Sequence, residues 1–158
     1  MELKNTIAVV TGVSKGIGLE LVKLLLEKGT IVAGWSRTKP ELTHTNFHFF
    51  SCDVAVEEQV ENAYQETVAK LGSDIRVLVN NAGFGVAGPF EEMSSADWKS
   101  MFDTNVHGIF YVSKRLIPAM KAADEGHILI VASIAGLNGV ANFAGYVGPM
   151  HAVTGISH

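Results

Sequence analysis

The 158 residues, 47% of them hydrophobic, suffice for one sizeable core but crowd two, so a single domain spanning 1–158 is expected. Twelve basic against sixteen acidic side chains, a net charge of -4, supply neither a basic stripe for nucleic acid nor a polybasic patch for a membrane surface. The only cysteine, Cys52, lies in an apolar run, and the chain enters its first strand near Thr6 with no charged-then-apolar leader; both features favour a reducing compartment, and the cytoplasm is the simplest address.

Residues 6–10, Thr-Ile-Ala-Val-Val, have the β-branched, apolar character of a strand buried on both faces. After it Ile17, Leu21, Leu24 and Leu25 recur at helical spacing, with Glu20, Lys23 and Glu27 opposite. The junction between them reads Thr11-Gly12-Val13-Ser14-Lys15-Gly16-Ile17-Gly18. At such a strand-to-helix turn the first glycine permits the tight bend, the middle one lets backbone approach a pyrophosphate, and the last lets helix and strand pack closely. Free N–H groups and the helix dipole then favour an anion. The spacing of Gly12, Gly16 and Gly18 differs from the commoner G-x-G-x-x-G, and an ordinary glycine turn is the alternative.

Residues 30–35 and 47–52 read as the second and third strands, joined by a polar connection holding Pro40. Val56, Val60, Ala63, Thr67 and Leu71 mark a helix ending near Gly72, and residues 75–79 form a short fourth strand. Ser94 or Ser95 can cap a helix through Trp98, Met101 and Phe102, followed by a longer one through Ile109, Ser113, Leu116 and Met120. Residues 127–132 supply a fifth strand. The stretch from 126 to 158 carries no charged side chain, but Asn138, Asn142, Pro149 and several glycines break it, and its longest apolar run is far short of the ~20 residues a bilayer needs. His44 and His48 find no third ligand at a useful spacing, so no metal site is expected.

Strands alternating with helices predict an α/β fold, a doubly wound parallel sheet of the Rossmann-like kind. Right-handed crossovers give the strand order 3-2-1-4-5, which reverses beside the first strand. Ligands bind at such a reversal, outside the carboxyl ends of the strands. Residues 12–18, Ser36-Arg37, Asp53-Val54, residues 80–83 and Ser133 all follow strand ends and are expected to converge on one rim.

Five blocks agree in order and spacing with a known pattern: residues 11–18, Asp53-Val54, Asn80-Asn81-Ala82-Gly83, Asn105, and Ser133 with Tyr146 thirteen residues later. Over nearly its whole length the chain resembles the short-chain dehydrogenase/reductase family. The resemblance implies a nicotinamide dinucleotide, hydride exchange with a small carbonyl or secondary alcohol substrate, and a homo-oligomer paired through its long central helices. It places Gly12, Ser14, Gly16, Ile17 and Gly18 at the pyrophosphate, Asp53 and Val54 at the adenine pocket, and Asn81 with the Ala82-Gly83 backbone along the cofactor. Ser133 would orient the carbonyl, Tyr146 would act as acid/base, and Asn105 would support the catalytic lysine through a water. Asp53 can also cap the helix that follows it, and Asn105 can be a helix-interior polar residue bonding locally.

Where strand two ends, an acidic residue would bond a ribose 2′-OH and a cation would accept a 2′-phosphate. Here Ser36-Arg37 offers a guanidinium and no carboxylate, and Lys15 can add a second charge. NADP(H) is therefore expected over NAD(H), against the alternative that both are solvated surface charges.

Two departures from the family bear on activity. Met150 stands where the family has its lysine, and Pro149 precedes it. Proline disrupts a helix begun earlier, so a helix starting at Pro149 would leave Tyr146 outside. The chain also stops inside what resembles the catalytic helix, so the family's C-terminal strands are expected to be missing and a hydrophobic sheet edge exposed. The expected function is an NADP(H)-preferring oxidoreductase with impaired turnover, or else a non-catalytic dinucleotide-binding or partner-binding module. An S-adenosylmethionine-dependent methyltransferase shares the glycine-rich turn but leaves Ser133 and Tyr146 unexplained.

Overall fold

The computed structural model describes residues 2–157, so the two ends of the expected 1–158 unit lie outside the described residues. Five strands form one sheet: β1 (Ile7–Thr11), β2 (Ile31–Ser36), β3 (Phe47–Ser51), β4 (Ile75–Asn80) and β5 (His127–Ile130). Their order is β3-β2-β1-β4-β5, every pair parallel, as handedness requires. Helices α1 (Gly16–Glu27), α2 (Glu57–Leu71), α3 (Ser95–Phe102), α4 (Gly108–Ala122) and α5 (Ala144–Ile156) complete the fold.

Side chains alternate across β1, which divides the core into two layers. Ala8 and Val10 pack with Val22, Leu25 and Leu26 of α1, while Ile7 and Val9 share the other layer with Val60 and Ala63 of α2 and Val112 and Leu116 of α4. With both faces covered, every residue of β1 is buried, which explains its uninterrupted apolar run. Trp35 is wholly buried on the α2 side, and its Nε1 donates to Thr67 Oγ1 at 3.0 Å. Thr67 in turn donates to the Ala63 carbonyl at 2.7 Å, so this buried polar pair is satisfied.

Bonding continues just beyond the strand ends. The Gly12 N–H donates to Trp35 O at 2.8 Å, Cys52 N–H to Ser36 O at 3.1 Å, and Val131 N–H to Asn80 O at 2.9 Å. The loops that follow β1 to β5 thus leave the sheet from a common rim.

Four local expectations are corrected. In α1 the buried stripe is Gly18, Val22, Leu25 and Leu26, and Ile17 and Leu24 are 67% and 56% exposed. The helix is rotated by one residue because Gly18 must face the sheet: a Cβ there would collide with Gly12 O and Asn81 Nδ2. Asp53 does not cap α2, which starts behind Val56 without a side-chain cap; Asp53 Oδ1 accepts from the Ala55 N–H at 3.1 Å in an Asx turn. The fifth strand ends at Ile130 rather than residue 132.

The fourth correction concerns Pro149. It lies inside α5, and Tyr146 belongs to the same helix rather than outside it. Proline removes one internal hydrogen bond, toward the Gly145 carbonyl, but the turns beyond it are held by tertiary packing. Met150 and Val153 are 5% and 1% exposed and form a cluster with Ile109 and Ala135. Elsewhere Ser94 caps α3 by accepting from the Asp97 N–H at 3.0 Å, and a π-helical turn, Asp103–His107, joins α3 to α4 without a break. Among the described residues β5 pairs only with β4, and Ile128 and Leu129 are exposed along it.

Candidate functional site

A cleft of about 770 Å3 opens at the carboxyl rim where β1 lies between β2 and β4. All the residues singled out from the sequence line it: Gly12, Ser14, Lys15, Gly16, Ile17 and Gly18 from the first turn; Arg37 after β2; Asp53 and Val54 after β3; Asn81, Ala82 and Gly83 after β4; and Asn105, Ser133 and Tyr146 beyond. Trp35, Cys52, Thr104, Ile109, Met150 and Val153 are also part of the wall.

The first turn is built for close approach of something to backbone. Gly12 and Gly16 have φ of +71° and +60°, conformations that side chains resist. Gly16 lines the cleft, and a Cβ on it would meet no other part of the protein within 4 Å. No side chain caps α1 and its first turn holds no acidic residue. The first amides of that helix are therefore uncommitted donors at its positive end, which suits a phosphate.

A set of side chains holds the rim together from behind. Thr11, 1% exposed, accepts through Oγ1 from the N–H groups of Asn81 and Ala82, both at 3.0 Å. Asn81 returns the contact, its Nδ2 donating to Thr11 O at 2.9 Å and Gly12 O at 3.1 Å. Asn80 Nδ2 donates to Ser113 Oγ at 3.1 Å, tying the end of β4 to α4. Buried Asn105 clamps the Phe84 peptide, accepting from its N–H at 2.9 Å and donating to its carbonyl at 2.8 Å. Asn81 and Asn105 thus spend their amides on main chain at the edge of the cleft. Sequence reasoning missed the buttressing by Thr11 and the Asn80–Ser113 pair; the available signal was a hydroxyl or amide ending an otherwise apolar strand.

Three charged side chains line the cleft. Lys15 and Arg37 are the cations of the wall and Asp53 its carboxylate. Arg37 is a surface side chain whose Nη1 stands 3.9 Å from Asp53 Oδ2, a contact worth at most about 1 kcal/mol at such exposure. Burial, reinforced by the Asp53 charge, pushes the Cys52 thiol up to about 12, so this wall residue stays neutral.

On the same wall Ser133 Oγ accepts from the Ala135 N–H at 3.2 Å, leaving the hydroxyl proton uncommitted. The Tyr146 ring lies over Gly85, where a Cβ would approach it to 2.8 Å. Met150, one helical turn beyond Tyr146, lines the same wall from within its apolar cluster. The position one helical turn beyond Tyr146 thus presents a thioether and no charge.

A doubly wound parallel sheet with a glycine turn opening into a cleft at its winding reversal defines a Rossmann-like α/β protein. The family model described as short chain dehydrogenase matches residues 6–158, and the chain belongs to this family of oxidoreductases. It is 31% identical to cyclohexanol dehydrogenase of Acinetobacter over 99% of this chain and 66% of the relative. With the 3-oxoacyl-[acyl-carrier-protein] reductase of Chlamydia trachomatis it shares 32% identity over 98% of this chain and 66% of that one. A short-chain dehydrogenase/reductase from Burkholderia phymatum, solved in complex with NAD, superposes with a TM-score of 0.94 at 26% identity, covering 99% of this chain and 59% of its own. The chain therefore spans less than two thirds of the length of these relatives. The family's cofactor is a nicotinamide dinucleotide. Among the described residues no helix is long and apolar enough to cross a membrane.

Proposed function

We propose that this chain binds NADP(H) in preference to NAD(H), as the cofactor-binding part of an oxidoreductase acting on a small carbonyl or secondary alcohol, and that its own turnover is slight or absent. The observation that carries the cofactor reading is the combination of an uncapped, acid-free glycine turn with Lys15 and Arg37 on the same rim. The amides of residues 12–18 would hold the diphosphate, Arg37 and Lys15 a 2′-phosphate, Asp53 and Val54 the adenine side, and the Ala82-Gly83 backbone the span between. When bound, the nicotinamide supplies or accepts the hydride.

The chain's own chemistry is proton handling at the substrate oxygen. Ser133 has a free hydroxyl proton with which to orient a carbonyl, and Tyr146 would give that oxygen its proton in the reductive direction. A tyrosine serves this role at neutral pH when a neighbouring cation steadies its phenolate. Met150 has no charge to offer, and this supports impaired turnover. Asn105 would act by fixing Phe84 beside the site. The single buried cysteine favours a cytoplasmic setting, and the family resemblance favours a homo-oligomer.

Titration with NADPH and NADH, for the wild type and Arg37→Ala, tests the reading. A charge-assisted contact to phosphate, discounted for the exposure of Arg37, amounts to about 1 kcal/mol, so NADPH binding should weaken roughly fivefold while NADH binding holds. Equal losses for both would remove the 2′-phosphate assignment. Sustained NADPH oxidation by the purified chain, abolished by Tyr146→Phe, would overturn the claim of impaired turnover. The second reading, a binding module without catalysis, is favoured by the uncharged Met150 one helical turn beyond Tyr146 and predicts nucleotide binding with no turnover on any carbonyl.

A further inference from the structure

We infer that Gly85 is a positioning residue for Tyr146: the peptide run Phe84-Gly85-Val86 forms a fixed shelf against which the Tyr146 ring is set, and the missing side chain at 85 decides where the phenol hydroxyl stands in the cleft. This deepens the function proposed above and rests on it for the role of that hydroxyl as proton donor.

The backbone at 85 does not itself call for glycine. Its φ lies outside the left-handed region, unlike those of Gly12 and Gly16. Gly85 is exposed, yet the direction a Cβ would take is filled, and the three atoms nearest to it all belong to Tyr146: Cδ2 at 2.8 Å, Cγ at 3.0 Å and Cε2 at 3.3 Å. Non-bonded carbons settle at about 3.5–4.0 Å, so an alanine here would drive the ring back by roughly 1 Å. The atoms in its way are the root and flank of the ring, so the ring must turn as a whole.

The shelf cannot retreat instead, because it is pinned on both sides of Gly85. Asn105 holds the Phe84 peptide through its N–H and its carbonyl, and the Val86 N–H donates to Met101 Sδ at 3.4 Å. Met101 and Asn105 are both buried in the continuous helical run from α3 into α4. The backbone that carries Tyr146 is held as well: Gly145 is buried against Met93, and the Tyr146 N–H donates to the Phe143 carbonyl at 2.8 Å. The displacement therefore falls on the ring, and a shift of about 1 Å at a reacting group costs about a hundredfold in rate.

Fluorine NMR of the full chain labelled with fluorotyrosine reads the ring without a turnover assay. Tyr64, Tyr111 and Tyr146 each give a resonance, the last identified by its loss in Tyr146→Phe. Gly85→Ala should move the Tyr146 resonance by more than its linewidth and leave Tyr64 and Tyr111, which pack in the layer of α2 and α4, in place. Gly148→Ala, whose Cβ meets Trp98 at an ordinary 3.5 Å, should leave all three in place. A Tyr146 resonance unmoved by Gly85→Ala, or moved as far by Gly148→Ala, would overturn the inference. With NADPH present, 2-butanone should shift the Tyr146 resonance of the wild type, and Gly85→Ala should need about fivefold more ketone for half that shift, the loss of one ordinary hydrogen bond. An equal response in both chains would overturn the inference and leave the proton-donor reading intact, whereas no response in the wild type would overturn that reading and the inference with it. Urea midpoints complete the cycle: the fall caused by Gly85→Ala should vanish when Tyr146→Ala removes the ring, and if Gly85→Ala alone does not fold, the double variant should. Equal falls in both backgrounds, or failure of both chains to fold, would show that glycine at 85 serves something other than the ring.

Discussion

Replacing Thr11 by valine keeps the shape of the side chain and removes only its hydroxyl, which isolates what that oxygen does for the rim. Oγ1 accepts from two backbone N–H groups, those of Asn81 and Ala82, each at 3.0 Å, at a residue 1% exposed. An N–H left unsatisfied in a buried site costs about 1–3 kcal/mol. Asn81 and Ala82 are themselves only half-buried, so the lower part of that range applies to each and the expected loss is about 2–4 kcal/mol in all. Thr11→Ser keeps the acceptor and loses one methyl, for about 1 kcal/mol. In urea, with a slope of about 2 kcal/mol/M for a chain of this size, Thr11→Val should lower the unfolding midpoint by about 1–2 M and Thr11→Ser by about 0.5 M. The hydroxyl would have no such role if Thr11→Val fell within about 0.2 M of the wild type, or if the serine variant were the less stable of the two.

The glycines of the first turn should respond unequally. A Cβ on Gly18 runs into Gly12 O and Asn81 Nδ2, both fixed by the rim, whereas one on Gly16 meets nothing within 4 Å and pays only for its φ of +60°. Gly18→Ala should cost about 3 kcal/mol and Gly16→Ala about 1 kcal/mol, read as melting-point drops of roughly 9 °C and 3 °C; the reverse order would refute the close-packing role of Gly18. The Cys52 thiol titrates near 9 when free and is pushed up to about 12 in the fold. Between those values the native state holds a proton that the unfolded chain has released, so stability is undiminished below about 9 and falls as pH climbs toward about 12. Urea midpoints at pH 8 and pH 10.5 should therefore differ less in Cys52→Ala than in the wild type, a smaller fall across that interval; identical falls would show that burial of the thiol is not maintained.

The sequence by itself determined the sheet, its order and the gathering of site residues on one rim, because each rests on local signals or on handedness. An apolar β-branched run such as residues 6–10 marks a strand buried on both faces, glycines at 12, 16 and 18 mark a strand-to-helix turn, and right-handed crossovers leave one strand order. Tertiary structure alone decided which face of α1 is buried, since the close approach of Gly18 to Gly12 outweighs the apolar periodicity of Ile17 and Leu24. It decided that α5 runs through Pro149, because Met150 and Val153 are held by Ile109 and Ala135 from elsewhere in the chain. It also decided that the amides of Asn81 and Asn105 bind main chain 70 and 21 residues away. Contacts between residues so far apart leave no periodic trace in the sequence, and only the folded chain brings their donors and acceptors within reach.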